Sequence, residues 1–228
     1  MTGIYIIFGV IALASYLVSM TLQNKFKKYS SVGLGSGMSG KEVAERMLRE
    51  NGIYDVSVVS VEGHLTDHYN PVNRTVNLSR SVYSGQSVAA AAVAAHECGH
   101  AVQHAKAYPW LKARSNLVPL VSVSSKYLSW ILLIGILTIQ IVPQILLAGI
   151  VLFSLTTLFS FITLPVEINA SQRAVAWLDQ KQIVDARTKP AVKDALKWAA
   201  LTYVVAALGS LATLIYYVLI FLNSQRRD

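Results

Sequence analysis

Long apolar stretches alternate with polar segments along the chain, and the lengths of the apolar stretches predict membrane-spanning helices. Residues 3–22 (GIYIIFGVIALASYLVSMTL) carry no charge, and residues 117–164 carry only that of Lys126. About 20 apolar residues cross a bilayer as a helix. The first stretch therefore fits one crossing and the second fits two, with a break at Pro143. A fourth crossing is predicted near residues 199–222, so segments 1–23, 117–164 and 199–228 are expected to form the membrane part.

The polar segment 24–116 has the pattern of a small α+β domain. Ser39 and Glu42 have capping-box spacing and predict the start of an amphipathic helix. Residues 56–61 and 75–78 predict short strands with a loop between them. The alanine-rich run from Ser87 predicts a helix that ends near Pro109, and the second polar segment, 165–198, predicts a helix at 166–180. The expected fold is mainly α, with about four transmembrane helices and this small domain.

Charge strengthens the membrane interpretation and assigns the sides. Only 14% of the residues are charged and 54% are hydrophobic, which is unusual for a soluble domain. All Lys and Arg residues except Lys126, Arg226 and Arg227 lie in residues 23–117 and 165–197. The positive-inside rule then predicts a multi-pass plasma-membrane protein with both polar segments in the cytoplasm and the N-terminus outside. The net charge of +8 is explained by these juxtamembrane residues, so no nucleic-acid partner is expected.

His96, Glu97 and His100 form an H-E-x-x-H pattern inside the alanine-rich helix. Residues four apart lie one turn apart on one helix face, so both imidazoles can reach one ion. Glu97, beside the first histidine, is placed to accept a proton as the general base. The pattern predicts one catalytic Zn²⁺ and a hydrolase. Cys98 is expected to point away from the metal as a packing residue.

A catalytic zinc needs a third protein ligand, and two residues are candidates. His104 follows on the same helix face, but eight residues from His96 correspond to about 12 Å of helical rise. The glycine that breaks the helix in the longer H-E-x-x-H-x-x-G-x-x-H pattern would fall at Gln103 and is missing. Glu167, in a polar helix after the third span, is the better candidate. An interfacial role of Glu167 as a solubilising charge is the alternative.

The two motifs H-E-C-G-H-A-x-Q-H and E-x-N-A-S-x-R-A, with one span before and three after the first motif, resemble those of the YugP-type membrane zinc metallopeptidases. They resemble more distantly the HtpX heat-shock proteases and the CAAX-processing zinc proteases. The resemblance implies a zincin-like (Glu-zincin) domain, with His96, His100 and Glu167 as zinc ligands and Glu97 as catalytic base. HtpX-like relatives carry an aspartate four residues after the ligand glutamate, where this chain has Ser171.

These observations predict an endopeptidase that acts on a protein or peptide substrate, itself membrane-associated, near the cytoplasmic surface of the lipid bilayer. Tyr69 and Arg173 are candidates to stabilise the oxyanion. The strand at 75–78 is a candidate to pair with an extended substrate. His64 and His68 also have i, i+4 spacing, but in a predicted loop they make a weak second metal site.

Two other functions remain open from the sequence. An intramembrane zinc protease would place H-E-x-x-H within a span and add an aspartate ligand, but the last three spans contain no aspartate. A non-catalytic membrane scaffold would not need the Glu97 carboxylate.

Overall fold

The computed structural model describes residues 2–63 and 65–225, and it is mostly helical with one small sheet. Within these residues the helices are α1 Thr2–Ser30, α2 Gly40–Glu50, α3 Arg80–Tyr83, α4 Val88–Ala105, α5 Pro109–Leu137, α6 Pro143–Gln180 and α7 Lys189–Gln225. The strands are β1 Ser57–Val61, β2 His68–Asn70 and β3 Thr75–Ser79. Helices α1, α5, α6 and α7 are long and apolar enough to cross a membrane, as the sequence predicts.

The chain divides into two compact units. The first, here called the membrane unit, comprises the chain up to Leu17, Lys112–Leu164 and the chain from Thr202 onward. The second, here called the catalytic unit after the H-E-x-x-H helix for which the sequence predicts catalysis, comprises Val18–Leu111 and Pro165–Leu201. Both units draw on segments far apart in sequence, because the long helices α1, α6 and α7 each contribute to both.

The catalytic unit is built on α4, whose alanines allow neighbouring elements to approach closely. Ala89 to Ala92, Ala94 and Ala95 are all buried. Helix α2 packs beside α4 and begins with the predicted capping box: the Glu42 N–H and the Ser39 N–H each bond the other residue's side chain. It ends where Gly52 adopts φ +74°, a backbone conformation that favours glycine.

The sheet has the order β1-β3-β2, with β1 parallel and β2 antiparallel to β3. β3 is therefore the central strand, with Val76 and Leu78 fully buried. The strand predicted at 75–78 thus has neighbours on both sides and cannot pair with a substrate, so that expectation is wrong. β2 is an edge strand. It is only three residues long and has no apolar run, so the sequence pattern did not predict it.

In the membrane unit, α5 and α6 form the predicted helical hairpin around Leu128, Leu132, Leu146 and Ile150. The helices touch at Gly135, where a Cβ atom would lie 2.6 Å from the Leu146 Cα. Small residues at such contacts let helix backbones approach in lipid. The turn between α5 and α6 contains no Lys or Arg.

Several helices extend further than the apolar pattern predicts. α6 continues through Pro165, whereas the sequence predicts a span that ends at residue 164 and a separate helix at 166–180. Proline removes one helical hydrogen bond, and membrane helices tolerate that loss. α1 continues past its basic cluster to Ser30, and α7 starts at Lys189 rather than near 199. These two extensions belong to the catalytic unit, where Lys25 Nζ lies 2.8 Å from Asp194 Oδ2.

Candidate metal centre

Helix α4 presents His96, Glu97 and His100 from its central turns. The helix starts at Ser87, whose Oγ accepts a hydrogen bond from the Ala90 N–H at 3.2 Å. The two imidazoles lie one turn apart, with ring centroids 4.8 Å apart and planes nearly perpendicular. This is the geometry expected from i, i+4 spacing on one helix face.

Glu167 approaches the two histidines because α6 lies directly against α4. At Gly99, between the histidines, a Cβ atom would lie 2.7 Å from the Ala170 carbonyl oxygen. Only glycine allows this close backbone contact. The contact brings the turn of α6 just before Ala170, which carries Glu167, to the two histidines. Glu167 Oε2 then lies 3.3 Å from His96 Nε2 and 3.6 Å from His100 Nε2. The Glu167 side chain is almost completely buried.

These three side chains fit a zinc ion by donor type and by spacing. Each offers one ligand atom, and the three atoms lie within 4.8 Å of one another. Zinc bonds of 2.0–2.1 Å in a tetrahedron separate two ligand atoms by about 3.3–3.4 Å, close to the 3.3 and 3.6 Å between Glu167 Oε2 and the two histidine Nε2 atoms. Two imidazoles and one carboxylate are a ligand set that catalytic zinc uses.

The electrostatics of the cluster favour a cation. Burial disfavours the charged form of His100, but the carboxylates of Glu167 and Glu97 outweigh it and raise the pKa of this imidazole above its ordinary value. Two negative charges therefore act on a buried region that holds two ring nitrogens. A divalent cation bound there would balance these two negative charges.

Glu97 stays outside this cluster and is held by the sheet. Its Oε2 accepts a hydrogen bond from the Tyr69 N–H of β2 at 2.9 Å. Within the described part of the chain, no hydrogen bond to its Oε1 is formed. One oxygen is thus fixed while the other can exchange a proton. Glu97 is 8% exposed and directly follows the first histidine in the chain. This placement suits a general base better than a ligand.

A profile of the family described as "Putative neutral zinc metallopeptidase" matches residues 4–222. The chain is also 43% identical to "Putative membrane protease YugP" of Bacillus subtilis (strain 168) over 211 residues, which cover 92% of this chain and 93% of that protein. The chain belongs to this zinc metallopeptidase family. No solved structure matches it at a significant level. The resemblance to YugP-type metallopeptidases is therefore confirmed, and the four apolar helices make this member a multi-pass membrane protein.

In this member of the family, both histidines are also held at their outer ring nitrogens. Ser171 Oγ lies 3.1 Å from His96 Nδ1, so the serine at the position of the HtpX aspartate contacts the imidazole. Gln103 Oε1 lies 3.0 Å from His100 Nδ1. In the sequence, Gln103 stands out only because it occupies the position of the glycine in the longer zinc motif. Its position three residues after His100, as an amide in an alanine-rich helix, is the signal that identifies it.

The weaker candidates lie around this centre. His104 is exposed, and its Nδ1 lies 2.8 Å from the Tyr69 hydroxyl. It does not join the cluster of three ligand atoms, as the helical rise predicts. Arg173 Nε donates to Asn169 Oδ1 at 2.7 Å. The Tyr69 hydroxyl and Arg173 Nε thus already bond protein partners.

Two further predictions concern His68 and Cys98. His68 lies in β2, not in a loop, and its Nδ1 lies 2.7 Å from the Thr66 carbonyl oxygen. His64 lies outside the described residues, so the weak His64–His68 metal site stays a prediction. Cys98 is buried and donates to the Ala44 carbonyl of α2, which confirms its packing role.

Proposed function

We propose that this protein is a zinc-dependent endopeptidase that hydrolyses peptide bonds near the cytoplasmic surface of the membrane. His96, His100 and Glu167 hold one Zn²⁺, and Glu97 is the general base. The observation that carries the proposal is the convergence of three ligand atoms within 4.8 Å beside a separately held carboxylate. The family description and the name of the Bacillus relative support the same activity.

Each side chain has a distinct part in hydrolysis. When bound, zinc polarises the scissile carbonyl and makes water a nucleophile at neutral pH. Glu97 Oε1 takes the proton of the attacking water and passes it to the leaving amine. The Tyr69 N–H keeps the carboxylate oriented during this exchange. Ser171 and Gln103 keep the imidazole rings in place from their outer side.

The edge strand β2 suits an extended peptide substrate. The N–H and C=O of one strand residue point to the same side, so the Tyr69 carbonyl points away from β3, as its N–H does. It can accept a hydrogen bond from a substrate N–H, by strand addition at the sheet edge. A zincin-like domain of the Glu-zincin type accounts for this combination of H-E-x-x-H helix, edge strand and downstream glutamate.

The position of α4 favours a site at the membrane surface. α4 is not among the four helices suited to cross a bilayer, whereas an intramembrane protease would carry H-E-x-x-H within a span. A membrane-associated protein or peptide is the substrate class that such a site can reach. The scaffold alternative leaves unexplained why Glu97 is buried and oriented without being a ligand.

Two chemically identical substitutions test the assignment of base and ligand. Glu97→Gln should keep zinc near stoichiometric and lower turnover at least about a hundredfold, because it removes a base but no ligand. Glu167→Gln should lose zinc and activity together, because it removes an anionic ligand, and added zinc should partly restore both. Metal content and peptide hydrolysis are measured on the purified full-length protein. Loss of zinc in Glu97→Gln with retention in Glu167→Gln would reverse the two roles and refute the proposal.

A further inference from the structure

Four polar residues of the two sequence motifs form a continuous chain of hydrogen bonds that ends on His100. Arg173 Nε donates to Asn169 Oδ1 at 2.7 Å. Gln103 Nε2 lies 3.1 Å from the same Asn169 oxygen and 2.8 Å from the Val166 carbonyl oxygen. Gln103 Oε1 lies 3.0 Å from His100 Nδ1. The Gln103 side chain is completely buried, so water cannot replace these bonds.

The direction of every bond in this chain follows from Arg173. A guanidinium only donates hydrogen bonds, so the Asn169 atom that faces it must be the carbonyl oxygen. That oxygen and the Val166 carbonyl only accept, so both must be met by the NH₂ group of Gln103. The oxygen of Gln103 is then directed to His100. Because this oxygen also only accepts, the proton of a neutral His100 must reside on Nδ1.

We propose that Arg173, Asn169 and Gln103 form a one-way hydrogen-bond relay that holds His100 as the Nδ1–H tautomer and so presets its Nε2 as a metal ligand. The inference rests on the proposed zinc site. Nε2 is the atom directed at Glu167, 3.6 Å away, so the relay places a lone pair where the cation is expected. Gln103 is a positioning residue, since it acts through His100.

The other histidine is held differently, and it supplies the internal control. His96 Nδ1 faces the Ser171 hydroxyl, which can either donate or accept. This contact orients the ring but does not dictate its tautomer. Removing the Ser171 hydroxyl should therefore leave the tautomer of His100 unchanged.

The test measures tautomers in the metal-free protein and zinc affinity in parallel. ¹⁵N NMR of histidine-labelled protein reports which ring nitrogen of His100 carries the proton, and chelator competition gives the zinc affinity. In the wild type we expect Nδ1–H. Gln103→Met keeps the side-chain length without the amide, so the proton should redistribute toward Nε2 and zinc should bind about 10- to 100-fold more weakly. Ser171→Ala should not change the His100 signal.

A pair of variants at Asn169 tests the relay away from the buried glutamine. Asn169→Asp retains an acceptor for both Arg173 and Gln103, so the tautomer should stay as in the wild type. Asn169→Leu removes that acceptor and leaves the Gln103 NH₂ group with the Val166 carbonyl alone, so the proton of His100 should shift partly toward Nε2. This pair decides the question if Gln103→Met fails to fold.

Two results would overturn the relay: a neutral His100 in the metal-free wild type whose proton lies on Nε2 and not on Nδ1, or an unchanged tautomer in both folded Gln103→Met and Asn169→Leu. Either result leaves the zinc peptidase assignment intact as long as the wild type binds zinc and cleaves peptide. Absence of peptide hydrolysis in a wild type with the expected tautomer would instead refute the proposed function alone.

Discussion

The two units bury polar side chains in different ways. In the membrane unit, the buried polar side chains among the described residues are hydroxyls: Ser124, Thr157, Thr163 and Ser224. Each bonds a carbonyl three or four residues earlier in its own helix, and Thr157 also contacts the Ser210 hydroxyl of α7 at 2.8 Å. In the catalytic unit, buried Glu97, His100 and Gln103 bond other side chains or other elements. The first pattern satisfies polar groups locally, as lipid requires, whereas the second fixes the distances between elements.

This difference indicates what each unit can tolerate. The bonds of Ser124, Thr157 and Thr163 to carbonyls of their own helices do not connect α5 with α6, so side-chain packing aligns these two helices. In the catalytic unit, shape and hydrogen bonds act on the same contact, because Gly99 lies between His96 and His100 and touches the helix that carries Glu167. A shift of α6 there changes the ligand separations directly. Equal steric changes in the two units should therefore have unequal consequences for metal binding.

In this comparison of the two units, the largest effect on metal binding is expected from Gly99→Ala. Its Cβ would lie 2.7 Å from the Ala170 backbone oxygen, so α4 and α6 must separate. We expect a loss of about 1–3 kcal/mol in the free energy of unfolding and a zinc affinity reduced at least about tenfold. Denaturant titration and chelator competition measure the two quantities.

Gly135→Ala is the matched control in the membrane unit. Its Cβ would meet the Leu146 Cα at 2.6 Å, an equally severe backbone contact. This variant should lose stability and keep its zinc affinity. Equal zinc affinities in the two variants would contradict the view that the α4–α6 contact sets the metal site.

A second comparison concerns stability alone and removes one buried leucine from each unit. Leu78 in β3 and Leu146 in α6 are both fully buried. Leu78→Ala should cost about 2–5 kcal/mol, since unfolding exposes this side chain to water. Leu146→Ala should cost less, because an unfolded membrane helix keeps its leucine in lipid and only packing is lost. Unfolding in graded detergent mixtures compares the variants, and equal losses would argue against a lipid environment for α6.

The parts of this fold that the sequence predicts are those that depend on local periodicity. The spans follow from apolar length, and His96 and His100 share a face because the helical repeat puts them there. Ser39 and Glu42 predict the start of α2 for the same local reason. Glu167 could be proposed as a ligand because it is a polar residue at the end of an apolar run.

The parts that could not be predicted depend on tertiary contacts. β2 has three residues and no apolar alternation, and it is ordered by pairing with β3 and by bonding Glu97. The importance of Gln103 depends on Asn169, 66 positions away. In the longer H-E-x-x-H-x-x-G-x-x-H pattern, glycine stands at the position of this glutamine. The spacing from His100 marks Gln103 as a candidate, but its bonds to α6 define its role.

The smallest effect on stability is expected from single cysteines that report membrane sidedness. Val72 in the β2–β3 turn and Ile141 in the α5–α6 turn are 88% and 82% exposed, and exposed substitutions usually change stability by less than about 0.5 kcal/mol. The native Cys98 is fully buried, and burial raises the pKa of its thiol well above its ordinary value. The unmodified protein should therefore resist thiol reagents, so no cysteine-free background is needed.

The distribution of Lys and Arg predicts opposite results for these two reporters. The β2–β3 turn belongs to a lysine- and arginine-rich segment, whereas the α5–α6 turn carries neither residue. In intact spheroplasts, a membrane-impermeant maleimide should label Ile141→Cys and leave Val72→Cys unlabelled. After permeabilisation both should react, while the native protein stays unlabelled in both conditions. Labelling of Val72→Cys in intact spheroplasts would place the metal centre outside the cell, and the positive-inside argument for a cytoplasmic peptidase would then be wrong.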